Sequence, residues 1–270
     1  MTPYIDEQRI VLKKLLGGLN CEKAHALGLI AWASPVLTFG HLGHAGVATL
    51  GLNPSNREFV DRCGNELTDE DQRLHTLKSL GIDRWSSASR QHRDSILESC
   101  CTYFTRRPYN GWFGQLEFLL QRMSASYYGG QPTIACHLDL IPFATTEKWA
   151  ALSPDSRKRL LEMGADALGR LLKASPVNTL LVNGRSVVEQ LCKITDCSAS
   201  VAEMSQWSLN RNGVPTVKGY SFSGVLKTVH GIALGREIRV LGFNHNLQSS
   251  FGVTNQVRSA IADWIEKSYL

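Results

Sequence analysis

Four apolar runs constrain this chain more than anything else in it. They are "VATLGLN" (Val47–Asn53), "TIACHLDLI" (Thr133–Ile141), "TLLVNG" (Thr179–Gly184) and "IRVLGFNHN" (Ile238–Asn246). None of them alternates strictly between apolar and polar. A strand with one wet face must alternate, because successive side chains point to opposite faces; a nearly continuous apolar strand is buried on both. Each run carries a polar residue or a glycine at or near its end.

Helical periodicity fills the gaps. "DSILESCCTYF" and "NGWFGQLEFLLQRM" separate the first two runs. "SPDSRKRLLEMGADALGRLLKA" separates the second from the third. Ser153-Pro154-Asp155 is its start signal, a capping serine followed by proline at the first helical position. Leu160, Leu161, Met163, Ala167, Leu168, Leu171 and Leu172 recur at helical spacing and predict one buried face. "SVVEQLCKI" and "TNQVRSAIADWIEKSYL" predict two later helices, and Pro3–Leu16 and Glu22–Ala33 two leading ones. Trp207–Val229 carries turn signals between short β-prone runs, which predicts an antiparallel excursion. Strands alternating with helices give an α/β fold with a mostly parallel sheet. The expectation is one domain over residues 1–270, with N-terminal helices in 1–45 and an inserted segment around 56–110.

The bulk numbers exclude more than they assert. No apolar run reaches the ~18 residues that would span a bilayer. The start, "MTPYIDEQRI", has no apolar signal core. The seven cysteines are odd in number and form no CxxC pair. These features predict reduced thiols in a cytoplasmic protein with no membrane partner, no metal and no cofactor. Net charge is +5, from 29 basic and 24 acidic residues, which permits an anionic partner without requiring one. Its sharpest local excess is Arg84, Arg90, His92, Arg93, Arg106 and Arg107. That group reads equally as a solvated helix face or a phosphate-contacting one.

In an open α/β sheet, ligands bind at the carboxyl ends of the strands where the strand order reverses. The polar residues at those ends are Asn53, Asp139, Asn183 and Asn244 to Asn246. They come from four distant segments, and the fold class predicts that they converge on one crevice.

"GLNPS" (Gly51–Ser55) and "NHNLQSS" (Asn244–Ser250) resemble the two signature motifs of the uracil-DNA glycosylase superfamily. The first closes the first strand, and the second follows the last. "LDLIPFAT" sits where that superfamily puts its base-reading residue, and "TLLVNGRSV" resembles its strand and turn before the last strand. The resemblance covers most of Val47 to Leu270. It implies a three-layer α/β/α sandwich around a four-stranded, mostly parallel sheet. It also implies hydrolysis of an N-glycosidic bond in DNA, by a monomer, after the nucleotide has flipped out of the stack. Asn53 matches the position that orients the attacking water. His245 matches the histidine that donates to the leaving base. Leu247 matches the side chain wedged into the vacated stack, and Ser249 and Ser250 would touch phosphates. No lysine stands in either motif, so hydrolysis is expected and lyase chemistry is not. Phe59 is the nearest aromatic for stacking on the base, with Tyr109, Trp112 and Phe113 behind it.

Two residues depart from the strict uracil pattern. Asp139 stands where those enzymes read the base with asparagine; His137 is the other candidate for that position. An ionised aspartate only accepts hydrogen bonds, so it suits the N4 amino group of cytosine and repels O4 of uracil. Ser55 stands where a bulky tyrosine would exclude groups on the base's C5. Together they point to a C5-modified cytosine. Such bases mark phage DNA, so an anti-phage enzyme is expected. Uracil or mismatch repair, and a module that binds modified DNA without cutting it, remain the alternatives. A nucleotide-binding enzyme is disfavoured, because no glycine-rich phosphate loop follows the first strand.

Overall fold

The computed structural model describes residues 3–19, 21–211, 214–248 and 253–269. Helices α1 (Pro3–Gly18) and α2 (Cys21–Ala26) lead to strand β1 (Ala45–Gly51). Helices α3 (Arg90–Cys101) and α4 (Asn110–Gln121) precede the short β2 (Ala125–Ser126) and then β3 (Thr133–Asp139). Helix α5 (Pro154–Ala174) crosses to β4 (Thr179–Asn183), and α6 (Arg185–Ile194) leads to β5 (Ser200–Glu203). A small hairpin of β6 (Leu209–Arg211) and β7 (Val214–Val217) comes next. Strands β8 (Tyr220–Val229) and β9 (Ile232–Phe243) and helix α7 (Asn255–Tyr269) complete the order.

The sheet runs β2-β3-β1-β4-β9-β8-β5. The first five strands are mutually parallel, β8 runs antiparallel to β9, and β5 runs antiparallel to β8. The α/β class and the parallel centre agree with the sequence pattern. The four-stranded expectation is corrected: the sheet is mixed and has seven strands. The additions lack the signal of the central four. β2 is two residues long, and every residue of the edge strand β5 is exposed. β8 is half wet and pairs along the length of β9, from Ile232 to Phe243. The second leading helix is also shorter than expected, ending at Ala26 rather than Ala33. Gly28 follows at φ +72°, in the left-handed region where glycine ends helices. The 56–110 segment holds α3 and several single helical turns.

Burial on both faces explains the apolar runs. Leu180, Val182 and Val240 pack into one core with residues of α1, α5 and α6. Their neighbours Leu181, Leu241 and Phe243 enter a second core with α4 and α7. Gly164 and Gly169 let α5 lie close on the sheet: a Cβ at Gly164 would stand 2.8 Å from the Leu140 carbonyl oxygen. The start of α5 is as the sequence indicates. Ser153 Oγ accepts from the Ser156 amide at 3.0 Å, satisfying one of the unpaired N–H groups of the first turn. Ser153→Ala should therefore lower unfolding free energy by about 1 kcal/mol in urea titration without changing the m-value.

The topology sets the place of a ligand site. The chain leaves β1 toward β3 on one side and leaves β4 toward β9 on the other. A crevice opens at the carboxyl ends of these two adjacent strands.

Candidate active site

A cleft of about 640 Å³ occupies that crevice. One wall is the turn after β1, from Gly51 to Arg57. Opposite stand Asn183, Asn246 and Gln248. Tyr109, Trp112 and Thr145 to Trp149 complete the lining. The expected convergence is met by Asn53, Asn183 and Asn246, while Asp139, Asn244 and His245 do not line the cleft.

Asn53 is held in one orientation. Its Nδ2 donates to Thr145 Oγ1 at 3.0 Å and to the Pro54 carbonyl at 3.1 Å. The Thr145 hydroxyl proton goes to the Glu147 carbonyl at 2.6 Å, so toward Asn53 that oxygen can only accept. The amide nitrogen must therefore face Thr145. Asn53 Oδ1 makes no hydrogen bond within the described residues and is the end left for a ligand. Ser55 also lines the cleft. Its hydroxyl accepts from the Arg57 amide at 3.2 Å and starts the helical turn Asn56–Glu58. Arg57 and Lys148 bring positive charge to the same space.

Asp139 lies behind this wall. Its side chain is only 3% exposed and is not part of the cleft surface. It sits against Gly51, which is: a Cβ at Gly51 would overlap Asp139 Oδ1. Asp139 Oδ2 is buried with no hydrogen-bond partner. A buried acceptor without a donor is costly, and it marks a place where a donor is missing.

Three expected site residues are placed differently. Phe59 is 1% exposed and packs edge-on against Trp32 at 6.3 Å, so it offers no face for stacking. Tyr109, Trp112 and Trp149 are the aromatic residues on the cleft wall, while Phe113 is core. Leu247 is 3% exposed and packs into the second core, so it is not a protruding wedge in this conformation. Its amide donates to Asn183 Oδ1 at 3.3 Å, which pins the turn down. His245 is buried off the cleft, and its Nε2 donates to the Trp207 carbonyl at 2.7 Å. Ser249 and Ser250 lie outside the described residues. The arginine-rich stretch is partly neutralised: Arg107 meets Asp71 at 2.9 Å and Glu70 at 3.4 Å, and Arg90 meets Asp94 at 3.8 Å.

Two features lay beyond the sequence reading. Gln248 bridges the walls, accepting from Asn183 Nδ2 at 2.6 Å and donating to the Trp112 carbonyl at 3.1 Å. Glu58 is buried beside the cleft turn. Its Oε2 accepts from the Tyr103 hydroxyl at 2.6 Å, and that oxygen accepts from the Tyr109 amide at 2.9 Å. Burial pushes the Glu58 carboxyl up to about 7; the Tyr103 hydroxyl and the Arg73 charge oppose the rise, and the Asp139 charge adds to it. Among the described residues no three His, Cys, Asp or Glu side chains gather as a metal site, and no helix is long and apolar enough to cross a membrane.

No protein-family model matches the chain, and no curated protein matches it. A similar solved structure is a domain of unknown function (DUF1537) from Bordetella bronchiseptica, a domain-swapped dimer with bound citrate. It is 14% identical with a TM-score of 0.27, and the match covers 85% of this chain and 42% of that one. The chain thus spans less than half the length of that neighbour, and a likeness at this level carries no weight for function.

Proposed function

We propose that this protein is a monofunctional DNA glycosylase that hydrolyses the N-glycosidic bond of a flipped-out, C5-modified cytosine and leaves an abasic site. The observation that carries the reading is the fixed Asn53 amide, its carbonyl oxygen unpaired in a cleft of about 640 Å³ at the strand switch point. Departure of a base leaves an oxocarbenium-like sugar that needs a water held below the anomeric carbon. An amide is a poor base, but it can hold that water, and positioning alone removes much of the barrier. Tyr109 and Trp112 offer rings for a flipped base to lie against, and Arg57 and Lys148 offer cations for the flanking phosphates.

Asp139 supplies the specificity. Its Oδ1 fills the space that a Gly51 side chain would take, and cytosine N4 is the donor that the orphan Oδ2 lacks. Ser55 leaves the C5 side open. His245 and Leu247 take their roles from the motif resemblance. Both require the Asn244–Gln248 turn to leave its present hydrogen bonds when DNA binds.

Asp139→Asn and Ser55→Tyr test the specificity. Asp139→Asn should lower release of the modified cytosine relative to uracil by about tenfold or more, since a good base contact is worth about 1–3 kcal/mol. Ser55→Tyr should exclude the modified base and spare unmodified cytosine. A wild type that prefers uracil, with Asp139→Asn changing nothing, would replace this reading with uracil repair.

A further inference from the structure

We propose that His137 is a positioning residue that fixes Asp139 as a pure hydrogen-bond acceptor and so sets which base the cleft takes; this rests on the base-reading role given to Asp139 above. The parallel register of β1 and β3 pairs Thr49 with His137 and Gly51 with Asp139. With a period of two, these side chains share one face of the sheet. They form a polar row inside two apolar strands. The Tyr127 hydroxyl bonds Thr49 Oγ1, which bonds His137 Nδ1 at 2.7 Å. His137 Nε2 lies 3.4 Å from Asp139 Oδ1. The imidazole is 2% exposed and is gripped edge-on by Trp112 at 4.8 Å and Phe113 at 5.4 Å. Trp112 and Gly51 both line the cleft, so the row ends directly behind its wall.

The protons in this row run one way. Within the described residues Thr49 is the one hydrogen-bond partner of the Tyr127 hydroxyl. Tyr127 therefore donates to Thr49, and Thr49 donates its single proton to His137 Nδ1. That leaves the imidazole proton on Nε2, facing the carboxylate. The reverse order would leave a buried O–H without an acceptor and would aim an Nε2 lone pair at an anion. Asp139 Oδ1 thus faces the imidazole N–H at 3.4 Å, and Oδ2 remains the free acceptor. An acceptor held this way favours a base that presents an amino group and repels one that presents a carbonyl. Without the His137 donor the carboxyl is free to turn, and the preference should fall.

The test reads binding as well as tautomer, so it does not depend on base release. Imidazole nitrogen spectra of the isotope-labelled free protein should show His137 protonated at Nε2 and bare at Nδ1; the opposite tautomer would overturn the relay. Affinities are then measured, in an Asn53→Ala background that prevents turnover, for duplexes holding one 5-hydroxymethylcytosine or one uracil. The ratio should fall by roughly tenfold in His137→Phe, which keeps a ring and loses the donor. His137→Gln, which can place an N–H near the Nε2 position, should hold the ratio within about threefold on the same scale. Affinity for an abasic duplex should be equal in all three. Equal losses on every duplex, or an unchanged ratio in His137→Phe, would sink the role of His137. Failure of the wild type to release any base would instead sink the glycosylase reading, and the binding ratio would still decide the one for His137.

Discussion

Asn53→Ala should lower the rate of base release by roughly 10²–10³-fold, the usual cost of removing one aligned transition-state contact, and leave the protein folded. Asn53 is half-buried at the tip of β1, and it makes two hydrogen bonds, to the adjacent Pro54 carbonyl and to Thr145. Little of the core depends on it. The loss should fall on the chemical step, because what disappears is the carbonyl oxygen that holds the water. Thr145→Val refines the point. It keeps the shape of the side chain and deletes the acceptor that orients the amide, so the amide can turn its nitrogen to the water. A smaller drop, about tenfold, is expected from that misalignment. Single-turnover assays with circular dichroism as a folding control make the measurement. Full activity in Asn53→Ala would remove the residue from the chemistry.

Glu58→Gln should make the protein more stable at pH 8 and remove a pH dependence that the wild type shows. The folded-state carboxyl titrates near 7 rather than at its ordinary 4.5, because burial disfavours the charge. A carboxyl raised on folding contributes stability that is fully present below about 4.5 and lost as pH rises through about 7. At roughly 1.4 kcal/mol per pH unit, the wild type should lose about 3 kcal/mol from this group between pH 4.5 and pH 8. Glutamine keeps an acceptor for the Tyr103 hydroxyl and carries no charge to bury. Urea titrations of both proteins at pH 5 and pH 8 isolate the term, since every other group cancels in the comparison. Parallel pH profiles would mean that Glu58 stays charged in the fold. The same bond links the Ser55 turn to Tyr109 through Tyr103, which donates to Glu58 in either protonation state.

The parallel centre of the fold was legible because strands buried on both faces leave a long apolar signature, and the start of α5 because Ser153-Pro154 has one good structural use. The flank was not. β5 is an exposed edge with no apolar run, and β8 owes its place to pairing with β9. At the site, Asn53 and Ser55 were readable from a polar turn that closes an apolar strand. Phe59 was not, because an aromatic beside a turn looks the same whether its ring faces a ligand or a core. The Thr49–His137–Asp139 row did leave a signal. Thr49 and Gly51 alternate with apolar residues along one strand, and His137 and Asp139 do so along its partner. Seeing that signal as one site requires the register between strands, which a single sequence does not carry. Thr145 and Gln248 reach the cleft from loops whose path no local pattern specifies.

The central claim is that the cleft frees a base from DNA. Duplexes carrying uracil, cytosine, 5-methylcytosine or 5-hydroxymethylcytosine are incubated with the wild type and with Asn53→Ala, and the small-molecule fraction is read by mass spectrometry. The modified cytosine should appear free in solution, an alkali-labile abasic site should remain in the strand, and both signals should be lost in Asn53→Ala. Intact DNA in every wild-type reaction, with no free base of any kind, would contradict it.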